Sequence, residues 1–247
     1  MAADDALVLS VVARCFTPVP DELWEQTVAG SSWDEFLSAA RDALQGERLL
    51  GQPIAPARRI GRRPSFSEFL SEREVEALYY PPDAEARRRF FARHFTGGLP
   101  ASALPVESLY VPWSDTGMFA GESGLYNSDV ARYLRDLAAS MQVEIPAEFV
   151  SAPDHLAVEL ELLVLFVEAG LFSEARQFAV ERLAWLETYR PKLMALGDEA
   201  LFWLALVDLL IGIRACQESL GKASAPAADS AGAHMQEDQR GTRFSGR

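Results

Sequence analysis

The stretch Ser151-Ala152-Pro153-Asp154-His155-Leu156 leads into an apolar run that ends at Gly170. A proline, an acid and an imidazole stand ahead of Leu156, Glu159, Leu160, Leu163, Val164 and Val167. These positions recur at helical spacing and predict an amphipathic helix over 154–168. Asp154 suits its start, where a carboxylate accepts orphan N–H groups and complements the helix dipole. A polar mouth above an apolar stripe fits a catalytic site, a metal site or a peptide-binding hinge. Adjacent residues on a helix do not face each other, so Asp154 and His155 make a poor acid–base dyad and a poor chelate.

Helical periodicity continues in both directions. Leu7, Val8, Val11 and Val12 give a first short helix that closes near Pro18, and Pro20-Asp21 opens a second. Ser32 with Glu35 three residues on has capping-box spacing and starts a third helix with Trp33, Phe36, Leu37, Ala40 and Leu44 inward. From Gly51 to Pro64 the pattern stops in a loop rich in proline and arginine. Helices resume at Phe66, Phe69 and Leu70, then over Glu85 to Phe95, whose Phe90, Phe91, His94 and Phe95 form an aromatic face. His94 reads as a packing residue there. Gly97 to Gly121 is the one long irregular stretch, and such loops often carry function. Further helices are expected over 128–141, 154–168, 173–189 and 198–220, with Pro146 and Pro153 bracketing a connector.

The expectation is an all-α chain of roughly nine helices in one globule. No strand-like alternation and no repeat of solenoid length is visible. Residues 1–221 are read as one helical domain with a hinge near 142–153. Residues 222–247, rich in alanine, serine and glycine, are read as a disordered tail.

Composition excludes several classes. The chain has 247 residues, 49% of them hydrophobic, and a formal net charge of −13. That charge disfavours nucleic acid and suits a basic peptide. Cys15 and Cys216 lie far apart and read as buried, reduced thiols. The acidic start is not that of a signal peptide. The most apolar window, 201–213, is too short to span a bilayer and contains Asp208. A soluble cytoplasmic protein is expected.

No phosphate-binding glycine loop precedes a lysine, and Gly121-Glu122-Ser123-Gly124 lacks the strand a nucleophile elbow requires. Three histidines are too few for a histidine-rich metal centre. In the irregular stretch, Tyr110, Trp113 and Phe119 either pack the loop down or line a groove for an apolar peptide, with Glu107 and Asp115 at its rim.

Several segments, in this order, resemble the TorD/DmsD/NarJ family of cytoplasmic chaperones for molybdoenzymes. They are Val12 to Glu22, Phe90-Phe91-Ala92-Arg93-His94-Phe95, and Pro105-Val106-Glu107-Ser108-Leu109-Tyr110. Pro153-Asp154-His155-Leu156-Ala157-Val158-Glu159-Leu160-Glu161 is similar to the family's most specific signature. Phe178 to Leu186, with Trp185, resembles the helix that follows it, and the likeness spans roughly 7–215. Family members often carry glutamate three residues before the aspartate. Here that position is Ser151, with Glu148 nearby.

The resemblance implies a chaperone rather than an enzyme. Its partner would be an apo-molybdoenzyme catalytic subunit, bound at its twin-arginine leader until molybdopterin guanine dinucleotide is inserted. No cofactor would stay on the chaperone itself. Glu107, Ser108, Tyr110, Trp113, Asp154, His155 and Glu159 are the residues it points to as lining or shaping the client site. The hinge would permit exchange of halves in a homodimer. Two rivals stand beside this reading: a chaperone of the same fold that grips the enzyme body, and a small all-α hydrolase using Asp154 and His155.

Overall fold

The computed structural model describes residues 2–44, 48–50, 52–53, 66, 69–99, 102–114, 116 and 120–224. Most of the basic loop at 51–64, Asp115, Phe119 and the tail after residue 224 lie outside the described residues. Among the described residues there are ten α-helices: α1 (Ala2–Cys15), α2 (Asp21–Thr27), α3 (Gly30–Leu44), α4 (Glu72–Tyr79), α5 (Ala84–His94), α6 (Asp129–Ser140), α7 (Leu156–Glu168), α8 (Phe172–Arg182), α9 (Leu186–Met194) and α10 (Leu201–Ser224). The all-α expectation holds. One addition is a two-residue antiparallel pair, Arg48↔Pro53 and Leu49↔Gln52, within the stretch read as plain loop.

Helix α7 is buried nearly all round. Ala157, Val158 and Leu162 are covered as well as the predicted stripe of Leu156, Leu160, Leu163, Val164 and Val167. A helix covered on every side runs through the centre of a bundle rather than along its surface. Leucine and glutamate dominate it, and both are good helix formers. Its end is set by Gly170, whose φ of 74° places it in the left-handed region. The N–H of Leu171 donates to Phe166 O at 2.9 Å and that of Gly170 to Val167 O at 3.1 Å, the paired bonds of a Schellman stop.

Two long-range packings organise the rest. Helix α1 lies along α7, so the start of the chain covers the middle of it. Helix α10 collects α3, α4, α8 and α9 around Phe202, Trp203, Leu206, Val207, Leu209 and Leu210, all buried. The aromatic face foreseen on α5 closes onto it. Phe90 stacks on Trp203 with centroids 3.6 Å apart, and Phe95 meets the same indole edge-on at 6.1 Å. His94 is buried against Phe90 and places Nε2 3.0 Å from Glu199 Oε1. Cys15 is buried and Cys216 half-buried; neither is in a disulfide, and the Cys216 thiol donates to Leu44 O at 3.3 Å.

Several predicted boundaries are corrected. Helix α3 begins at Gly30, so Ser32 sits inside its first turn and caps nothing. The helix expected from Phe66 starts instead at Glu72, where Ser71 and Glu74 complete a capping box. The predicted 173–189 helix is two. The chain tightens at Leu183, Ala184 and Trp185, where Leu186 N bonds Leu183 O and Thr188 N bonds Trp185 O over three residues. Its second half does not stop at Tyr189 but carries Pro191 inside and runs to Met194. Helix α7 starts at Leu156, and its cap is His155 rather than Asp154.

Candidate functional site

The two segments singled out in the sequence are bonded directly to each other. Val106 and His155 form an antiparallel bridge. The N–H of Glu107 donates to Asp154 O at 2.9 Å, and that of Leu156 to Pro105 O at 2.8 Å. Pro105 and Pro153 cannot donate, which leaves the remaining N–H and C=O groups of the two short segments to pair.

Asp154 is 1% exposed and does not cap α7. Its Oδ2 accepts the N–H of Ser108 at 2.7 Å and also the Ser108 hydroxyl. Ser108 Oγ lies 2.6 Å from Ser128 Oγ, and Ser128 caps α6 through the N–H of Ala131. A single carboxylate therefore ties the start of α7, the irregular stretch and the start of α6. The local capping rule predicted a partner three residues away; the real one is 46 residues back.

Two more carboxyls complete this joint. Glu107 and Glu159 are 3% and 0% exposed, and they hydrogen-bond each other. Burial pushes Glu107 up to about 7 against the pull of Arg182, whose guanidinium is 3.4 Å away. Burial raises Glu159 further, and the neighbouring Glu107 charge adds to it. Glu159 is thus the protonated partner and donates to Glu107. That shared proton accounts for Glu107 Oε2 and Glu159 Oε1, which find no other partner among the described residues. Trp185 Nε1 donates to Glu159 Oε2 at 3.1 Å, which explains the break between α8 and α9: the chain turns there to bring the indole inward.

His155 has a different task. Its Nδ1 accepts the N–H of Ala157 at 3.2 Å, and its ring stacks on Phe149 at 4.5 Å. Burial lowers its pKa to about 3, so the imidazole is neutral. Asp154 and His155 turn to separate partners, and the hydrolase reading loses its dyad.

Tyr110 is half-buried, stacked on Trp185 at 5.5 Å and donating its hydroxyl to Leu104 O. Trp113 stands apart, with Nε1 on Tyr126 O at 3.0 Å and Arg132 over its ring. Of the seven predicted residues, Glu107, Ser108, Asp154 and Glu159 form the joint, Tyr110 packs beside it and Trp113 braces the loop that carries Tyr126.

His155 is buried too, but its ring borders an open groove. This groove, of about 630 Å³, is also lined by Phe16, Phe91, Phe95, Leu104 and Phe149, with Glu148 and Ser151 at its edge. The sequence pointed to Phe91 and Phe95 as an aromatic face, but nothing in it aimed Phe16 or Phe149 at the same space. A smaller cavity of about 420 Å³ adjoins it across Glu148 and Phe149. A third, of about 610 Å³, lies between α4, α5 and α10, and its Arg73 and Arg93 are already paired with Asp198 and Glu199.

These features define a helical protein whose accessible feature is an apolar groove braced by a buried polar joint. The family model described as nitrate reductase delta subunit matches residues 66–193. The chain belongs to that family, one of molybdoenzyme-maturation chaperones rather than catalysts. No curated protein and no solved structure matches the chain. Among the described residues no helix is long and apolar enough to cross a membrane.

The joint yields two expectations. Asp154→Ala removes the acceptor of the Ser108 N–H and hydroxyl and costs about 3 kcal/mol in urea unfolding, whereas His155→Ala costs less than half of that. Equal losses would contradict the assignment of Asp154 as the tie. Glu107 and Glu159 hold protons more tightly folded than unfolded, so their contribution is full below the ordinary carboxyl value of 4.5 and is lost as pH rises through about 7. Glu159→Gln keeps a donor for Glu107 at every pH. Its urea midpoint falls less between pH 5 and pH 8 than that of the parent; an unchanged slope would rule out the shared proton.

Proposed function

We propose that this protein binds the apo form of a molybdoenzyme catalytic subunit in the cytoplasm, through its twin-arginine leader. It holds that subunit back from export while molybdopterin guanine dinucleotide is inserted. The cofactor passes to the client and does not remain on the chaperone. The observation that carries this reading is the groove walled by Phe16, Phe91, Phe95, Phe149 and His155. A leader of this class has a basic front and an apolar core. The aromatic walls match the core, and a net charge of −13 draws the front by long-range steering.

A neutral His155 favours this match, because an imidazolium in the wall would repel arginine. Glu148 and Ser151 edge the same groove. Glu148 therefore supplies a carboxylate close to where other family members carry one three residues before the aspartate. The joint of Glu107, Ser108, Asp154 and Glu159 acts beneath the groove by fixing the backbone on which His155 and Val106 sit.

A second reading has one observation of its own. The matching family is described by its nitrate reductase partnership. In that reading the groove takes a segment of the enzyme body and ignores leaders.

Ala92 is exposed on α5 and lines the groove, so Ala92→Trp fills it without disturbing the core. Fluorescence titration with a synthetic leader is expected to show affinity that falls with added salt, and a loss of about tenfold or more in Ala92→Trp. Capture of an apo-enzyme lacking its leader as efficiently as the intact subunit would favour the second reading. The connector at 142–153 lies between α6 and α7, and opening there would let α1 of one chain pack on α7 of another. Light scattering on purified protein tests this homodimer: a mass that stays monomeric at all concentrations removes it.

A further inference from the structure

The smaller cavity, about 420 Å³, opens where the ends of α1 and α6 meet α7 under the connector. Its floor is aliphatic and aromatic, from Ala138, Val143, Ile145, Phe149, Leu162 and Leu165. Its charged residues are Glu144, Glu148 and Glu161 against Arg14 alone. Glu144 and Glu148 are exposed and hydrated, whereas burial pushes Glu161 up and the nearby Arg14 charge pulls it back, so two of the three carboxylates await a cation.

An apolar floor under a carboxylate rim selects a particular kind of side chain. A purely apolar guest would leave the rim carboxylates facing it, and a small cation would leave the floor wet. Arginine satisfies both: its stem lies on apolar surface and its planar head takes carboxylates through paired N–H donors. Glu148 and Phe149 belong to this cavity and to the larger groove. Glu148 is the one carboxylate of the larger groove, whereas three stand around the smaller cavity. A peptide crossing the Phe149 wall would thus meet acid on one side and aromatic surface on the other.

We propose that the cavity between α1, α6 and α7 is the subsite for the arginine pair of the leader, whose apolar core continues past Phe149 into the larger groove. This rests on the leader-binding reading above and gives it a direction: basic front over α7 and the end of α6, apolar core along α5.

The experiment is a double-substitution cycle on the full chain. The probes are two fluorescent peptides with an apolar run of about 12 residues, one bearing the arginine pair and one bearing two glutamines there. The variant is Glu144→Gln/Glu148→Gln/Glu161→Gln, all surface changes. The parent is expected to lose about tenfold in affinity from the arginine to the glutamine peptide. The triple variant is expected to lose less than about threefold, since charge complementarity is already gone. A parent that binds and a variant that keeps the full tenfold discrimination would place the arginines elsewhere, while leader binding stands. A parent that binds neither peptide would remove leader binding itself, and this subsite with it. Glu72→Gln/Glu76→Gln on α4, far along the chain from the cavity, is the control for charge loss alone. Loss of discrimination in that variant as well would also overturn the subsite.

Discussion

One carboxylate holds this structure in register. Asp154 is buried and accepts two bonds from Ser108, a residue of the irregular stretch that precedes α6. Around it, the backbone of 105–107 pairs with that of 154–156, and Ser108 Oγ, its proton on Asp154, accepts from the Ser128 hydroxyl that caps α6. A buried carboxyl is costly unless it is hydrogen-bonded, and here both bonds from Ser108 fall on Oδ2, while Oδ1 is buried with no partner among the described residues. The chain has put this group where three elements meet, and the two bonds to Oδ2 fix their mutual positions. The Glu107–Glu159 pair extends the same joint toward Trp185 and Arg182 on the α8 side.

Periodic apolar residues made the helices legible, because burial of a stripe is a local pattern with a fixed period. α7 was visible for that reason, and so were α1, α5 and α6. The division of 173–189 into α8 and α9 was not, because apolar spacing runs through the turn unbroken. What bends the chain there is an indole reaching a carboxyl 26 residues earlier. The same limit hid the role of Asp154. Capping rules rank partners within one turn, and they favoured it as an N-cap; a partner 46 residues away leaves no local trace. The polar character of Glu107, Ser108 and Glu159 was visible, but not that burial would make them a joint rather than a groove lining.

The match to the nitrate reductase delta subunit family spans 66–193 and contains every residue of that joint. Arg14 and Phe16, which complete the two adjoining cavities, lie before it. The matched portion thus holds the joint, while α1 and α10, which pack the helices around it, lie outside that span. The groove beside it is finished by Phe16 and Pro18, in the turn after α1 and outside the matched span. Two proteins could share the joint and still present different walls.

The packing of α1 on α7 also dictates an order of events during synthesis. Val8, Leu9, Val12 and Phe16 are buried in the finished protein, yet α7 leaves the ribosome some 140 residues after them. Helix α3 and Phe95 can cover part of this segment earlier, but the side of α1 that packs on α7 stays open until then, and its contacts must close one of the longest loops in the chain. A member of a maturation-chaperone family thus spends much of its own synthesis with one side of an apolar helix waiting for cover.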